Sequence, residues 1–228
     1  VKKRDFLRKT LSGFGSIVAL PVLAGVGSSG KRVETAENCE VSPSETRGPF
    51  PIKSPADLMR ANIVVDRQGV ALLINLQVQQ KGANGCAPMA NAQVDIWHCD
   101  ADGHYSEYGG IRMQEKNYTK VSFLRGRQTA DMEGRVTFIS IFPGWYPGRA
   151  PHLHVDILKN DKIVLSTQIA FPVESTAAVY ASRGYHGKED TPNDRDGIFR
   201  NSLAGNMADS VTGNIEDGYT LNKVITVG

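Results

Sequence analysis

Cysteine is scarce in this 228-residue chain: there are only three, Cys39, Cys86 and Cys99. So few cannot staple a fold of this size, although one bridge is possible. An excess of charge of one sign is missing as well, since 26 Lys and Arg stand against 24 Asp and Glu. That balance leaves no basic footprint for nucleic acid. Long apolar runs are lacking too. The mildly apolar stretch from Leu11 to Val26 is interrupted by Gly, Ser and Pro21, which makes it a poor membrane-spanning helix. Glycine (23) and proline (11) are spread along the chain, which excludes a collagenous polymer, and no repeat or low-complexity segment occurs. What is present is ordinary globular composition, 40% hydrophobic and 22% charged, in a chain long enough to bury a core without staples.

Residues 1–30 have the order of an export signal. A basic start (Lys2, Lys3, Arg4, Arg8, Lys9) precedes the apolar stretch and then Gly27-Ser28-Ser29-Gly30. Lys3-Arg4-Asp5-Phe6-Leu7-Arg8 resembles a twin-arginine signal with Lys in place of the first Arg. The protein is therefore expected to be exported, periplasmic or extracellular, with no stable membrane insertion after signal removal. The signal holds five of the 26 basic and one of the 24 acidic residues, so 31–228 keeps 21 basic and 23 acidic ones. The positive balance thus belongs to the signal. In an oxidising compartment one disulfide is expected. Three pairings are open; Cys39 and Cys86 lie in loop-like sequence and are the preferred pair, and Cys99, ending a strand pattern, reads as a buried small hydrophobe.

Residues 31–57 are polar and Pro-containing and read as an extended N-terminal arm. From 58 to 228, strand patterns dominate a single domain. Val70–Val78, Ala92–Trp97, Arg135–Phe142, His152–Leu158, Ile163–Ile169 and Tyr219–Val227 are apolar or alternating. Lys159-Asn160-Asp161-Lys162 between two of them reads as a hairpin turn. The helical candidate is Glu174–Arg183. The expected fold is all-β, an antiparallel β-sandwich with long functional loops and little helix. The irregular segments 99–133, 142–151 and 180–203 carry most of the Tyr and His and focus the search for a site.

His152-Leu153-His154 is the first candidate. Residues two apart on a strand share a face, so both imidazoles can meet one metal ion. The Pro- and Gly-rich loop from Pro143 to Pro151 leads into the pair and would present Tyr146 and Arg149 beside it. Asp156 shares the face but lies about 7 Å further along the strand. Zinc would want Cys or a third His, and His98 and His104 lie in another segment. Tyrosine is the residue type in surplus. Phenol ionises near pH 10, so it ligates only a hard, highly charged ion that drives its deprotonation. That chemistry fits Fe(III) better than Zn or Fe(II). A second tyrosine, Tyr105, follows the turn after Val94–His98, with Tyr108 as its rival.

The segments VDIWHCDADGHYSEY (94–108), GRVTFISIFPGWYPGRAPHLHVDI (134–157) and STQIAF (166–171) together resemble the intradiol ring-cleavage dioxygenases. SETRGPFP (44–51) and DTPNDRDGIF (190–199) extend the similarity to roughly residues 42–200. The resemblance implies Fe(III) held by Tyr105, Tyr146, His152 and His154. It implies that Arg149 stabilises negative charge on the ring, that Gln168 positions the reacting species, and that Tyr146 also accepts a substrate proton. The substrates implied are a catechol-type aromatic and O2, with both oxygen atoms inserted between the hydroxylated carbons to give a cis,cis-muconate-type diacid. A homodimer is a common trait of the family. The chain departs from well-known members in lacking a helical N-terminal dimerisation segment, and it looks like a compact, exported branch. Two other readings are open: a non-catalytic β-sandwich binding module, in which the tyrosines would not converge with the histidines, and a zinc hydrolase using His152, His154 and a third ligand.

Overall fold

The computed structural model describes residues 39–228, so the export signal expected at 1–30 lies outside the described residues. Nine strands are found among them: β1 (Ala71–Gly82), β2 (Gly85–Pro88), β3 (Gln93–Trp97), β4 (Arg125–Thr129), β5 (Arg135–Ile141), β6 (His152–Lys159), β7 (Lys162–Ala170), β8 (Ser210–Asn214) and β9 (Gly218–Val227). They form two sheets, β2-β1-β9-β8 with β5 also on β1, and β4-β3-β6-β7. The fold is all-β, with helix limited to α1 (Val173–Tyr180), α2 (Leu203–Asn206) and three short 3-10 turns.

Alternation explains the sandwich. Leu72, Ile74, Leu76 and Val78 of β1 point to the core, as do Val94 and Ile96 of β3 and Leu153, Val155 and Ile157 of β6. Each is within a few per cent of full burial, and at about 25 cal/mol per Å² of apolar area removed from water this shared layer is the main stabilising term. The β6–β7 hairpin turns through Asn160 and Asp161, both at positive φ (50° and 59°), the turn that follows strand twist and that Asn and Asp tolerate.

The antiparallel expectation holds for all strand pairs but one. β1 and β9 pair in parallel from Leu72↔Tyr219 to Gln80↔Val227; the long intervening chain supplies the crossover that a parallel pair needs. Three strands escaped the sequence reading. β4 is Arg-Gly-Arg-Gln-Thr and β8 is Ser-Val-Thr-Gly-Asn, without apolar alternation, and β2 is a four-residue strand of Gly-Cys-Ala-Pro. The helix begins at Val173 and ends at Tyr180, three residues before the expected end, where the chain passes into turns. Cys39 and Cys86 form the disulfide and Cys99 is free and buried.

Candidate active site

The second sheet buries both faces. Its inner face joins the core; its outer face carries polar residues, yet β6 is buried from His152 through Leu158. Strand register sets the outer face in rows. Arg125 pairs with Trp97, Trp97 with His154 and His154 with Gln168, so one row crosses all four strands. The next row is Arg127, Asp95, Asp156 and Ser166. Loops and the N-terminal arm cover these rows.

His152 and His154 face one another, Nε2 to Nε2, at 3.1 Å. His152 Nδ1 lies 2.6 Å from the Ala150 carbonyl oxygen. A carbonyl only accepts, so Nδ1 carries the proton and Nε2 presents a lone pair. Tyr105 Oη is 3.5 Å from that Nε2, and the Tyr146 ring packs edge-on against both His152 and Tyr105, with centroids 5.7 Å away in each case. The structure thus brings Tyr105, Tyr146, His152 and His154 to one point. Two loops make the meeting possible. Gly144 N–H donates to the Asp100 carbonyl, tying the segment before Tyr146 to the one before Tyr105. Gly103, at φ +82°, lies so close that a Cβ there would sit 2.3 Å from Trp145 O, so only glycine permits the approach.

Arg149 points into the same centre. Its Nη1 is 3.5 Å from Tyr146 Oη and from His152 Nε2, its Nε donates to Asp196 Oδ2 at 2.8 Å, and its Nη2 donates to Gln168 Oε1 at 2.6 Å. Gln168 Nε2 donates in turn to the Thr46 carbonyl. Both ends of the Gln168 amide are therefore engaged, and it acts on the centre through Arg149.

The arm is part of the site rather than a strap beside it. Phe50 stacks on Tyr105 with centroids 4.8 Å apart, and a Cβ on Gly48 would lie 3.0 Å from His154 Cε1. Trp97 stacks flat on His154 at 4.9 Å. Tyr105 is clamped through its backbone by the Gln114 amide, which accepts from its N–H and donates to its carbonyl, both at 2.7 Å. Asp196, Gln114 and Arg125 were not singled out from sequence. Asp196 lies in the quoted 190–199 segment, but no spacing distinguishes it from its neighbouring acids.

Burial dominates the electrostatics. Burial first, then the Arg149 charge, pushes His152 down to about 3, and burial with its histidine neighbour lowers His154 well below the ordinary range. Both rings are neutral donors at pH 7. Burial pushes the Tyr105 and Tyr146 phenols upward, against Arg149 near both. Burial also works to raise Asp196, but the Ala150 N–H and Arg149 outweigh it and leave the carboxyl below its usual range.

These residues fit a ferric ion. Without a cation the two facing Nε2 atoms share at most one hydrogen bond between them. A cation would engage both Nε2 lone pairs and supply the positive charge that the two buried phenols need to ionise. Two phenolates suit a hard trivalent ion. A zinc set is not assembled: among the described residues no three His, Cys, Asp or Glu side chains gather. His98 is buried against Ser140 Oγ (2.6 Å) and the Cys99 carbonyl, His104 sits 3.7 Å from Asp100, and His186 pairs with Asp102. Asp156 is turned to Arg47 and Ser166, and Tyr108 donates to the Pro51 carbonyl.

A sandwich with paired imidazoles and paired phenols on the outer face of one sheet defines a class, and comparison with known proteins names it. Residues 52–180, more than half of the chain, match the family model described as Dioxygenase. The fold is similar to that of an intradiol ring-cleavage dioxygenase from Tetranychus urticae, with 31% identity and a TM-score of 0.74 over 83% of this chain and 95% of that one. It is also similar to the dioxygenase domain of a dioxygenase carbohydrate-binding protein fusion from Streptomyces sp. SirexAA-E (24% identity, TM-score 0.59, 82% and 98% covered), a likeness of fold. A hydroxyquinol 1,2-dioxygenase of Rhizobium sp. (strain MTP-10005) is 28% identical over 107 residues, 46% of this chain; the match spans 33% of that relative's length. The chain belongs to the intradiol ring-cleavage dioxygenase family.

Proposed function

We propose that this chain is a non-haem Fe(III) enzyme that inserts both atoms of O2 between the two hydroxylated carbons of a catechol-type aromatic, giving a cis,cis-muconate-type diacid. The convergence of two neutral imidazole lone pairs and two buried phenols carries this reading. Tyr105, Tyr146, His152 and His154 would hold the ion. When bound, ferric iron would supply Lewis acidity that draws electron density from the catecholate ring, opening a ring carbon to O2.

The chain's own residues divide the remaining work. Tyr146, whose Oη faces Arg149, takes a hydroxyl proton from the incoming catechol. Tyr105, clamped by Gln114 and covered by Phe50, keeps its position. Arg149 is pre-aimed by Asp196 and Gln168, so its Nη1 meets negative charge developing on the ring without reorganisation. Phe50, Trp97 and Cys99 keep the surroundings apolar and exclude water. All four oxygens of catechol and O2 end in the two carboxyl groups, so no reductant is consumed. We also infer export; the Cys39–Cys86 disulfide supports an oxidising destination.

The test is oxygen uptake by iron-loaded protein with catechol, hydroxyquinol, protocatechuate and a caffeoyl substrate. One O2 consumed per substrate, with both atoms of labelled oxygen in a ring-opened diacid, is expected for at least one of them. Iron-loaded protein that consumes no O2 with any of the four would overturn the reading.

A further inference from the structure

Three members of the row that crosses the second sheet already belong to the site: Trp97, His154 and Gln168. The fourth, Arg125 on β4, is fully buried. Its guanidinium grips the two segments that frame Tyr105. Nε donates to Ser106 Oγ at 2.9 Å, Nη2 to the Ser106 carbonyl at 2.7 Å and Nη1 to the Phe50 carbonyl at 3.0 Å. One residue thus ties the chain next to Tyr105 to the ring that stacks upon it. Its Cζ lies 5.8 Å from the centre of the Tyr105 ring.

A grip alone does not need a charge. A buried guanidinium is costly to desolvate unless an anion answers it, and neutral donors could tie the same carbonyls. The carboxylate in contact is Glu107, 3.4 Å away, which also accepts from the Lys53 N–H at 2.9 Å. Burial lowers Arg125 to about 10, which leaves it charged at neutral pH. The cation therefore lies over the Tyr105 ring, and a second cation, Arg149, reaches the Tyr146 oxygen.

We propose that Arg125 is the positioning residue of Tyr105, holding its ring in place and, through its fixed positive charge, making Tyr105 a weaker electron donor than it would be without that charge. The inference rests on the ferric reading above. A nearby cation lowers the energy of the phenolate electrons, so charge transfer from Tyr105 to iron takes more energy. Arg125 touches no reacting atom; it acts through Tyr105.

The visible spectrum of ferric-loaded Tyr146→Phe protein isolates the Tyr105 band. In that background, Arg125→Gln, which can still donate hydrogen bonds, is expected to move the band to longer wavelength. Arg125→Lys, which keeps the charge, is expected to bring it back towards the parent position. Glu107→Gln, which leaves Arg125 folded and removes its counter-charge, is expected to move the band the opposite way, to shorter wavelength, and stands if Arg125→Gln does not fold. A band unmoved in both Arg125→Gln and Glu107→Gln, or moved as far by Lys as by Gln, would overturn the assignment. A ferric-loaded parent with no band at all would instead remove the iron reading on which it stands.

Discussion

Asp196 and Arg149 form a fixed pair: Oδ2 accepts from Nε at 2.8 Å while the same oxygen takes the Ala150 N–H at 2.7 Å. The other carboxyl oxygen accepts from the Ile198 N–H and the Phe199 N–H. A carboxylate from the 190–199 loop thus sets both the charge and the backbone at the entrance to β6. Asp196→Asn is expected to cut kcat by about 100-fold with a smaller change in KM, because Arg149 loses its aim, a cost on the scale of a lost charge-stabilising donor. It should also destabilise the fold by about 3 kcal/mol, as removal of one partner of a buried pair does. The folded carboxyl sits below its ordinary range, so its contribution is present above about pH 4 and is lost as pH falls through the lower folded value. Urea titrations at pH 7 and pH 3 check this: the gap between wild type and variant should narrow at pH 3.

The histidine pair sets a second pH dependence with the same sign. Both imidazoles are held neutral in the metal-free fold, with His152 near 3. An unfolded histidine titrates near 6.5. Between those values the unfolded chain binds more protons, so stability is full above about pH 6.5 and falls as the solution is acidified. Denaturant midpoints of the metal-free protein from pH 8 to pH 4 should decline below about 6.5. The decline should be shallower in His154→Gln; an identical slope in that variant would show that the loss comes from other groups.

Gly48 tests whether the arm belongs to the site. Its φ is +67°, and a Cβ would come within 3.0 Å of His154 Cε1. Gly48→Ala meets a left-handed backbone penalty of about 1 kcal/mol and presses on the imidazole. Iron affinity is expected to fall several-fold while the far sheet is undisturbed. Equilibrium dialysis against ferric chelates, together with a thermal melt, separates the two effects.

The sandwich was legible where strands alternate. His152, Leu153, His154 and Val155 expose period two directly, and the same period placed the imidazoles on one face. β4 was illegible because its outward residues are Arg125 and Arg127, buried charges answered by Glu107, Asp95 and main-chain carbonyls that no local pattern predicts. Tyr105, Tyr146, His152, His154, Arg149 and Gln168 were all named from sequence, and they lie together. Their supports were not. Gln168 reaches Thr46 across 122 positions and Arg125 reaches Phe50 across 75. Contacts of that span are decided by packing, which leaves no spacing in the chain to read.

The visible absorption of the purified, ferric-loaded protein bears most directly on the proposed centre. With Tyr105 and Tyr146 both bound to iron, wild type should be burgundy from tyrosinate-to-iron charge transfer, and Tyr105→Phe and Tyr146→Phe should each lose intensity, with the double variant colourless. A wild type that holds ferric iron without colour, or a double variant as strongly coloured as wild type, would show that these two phenols are not ligands.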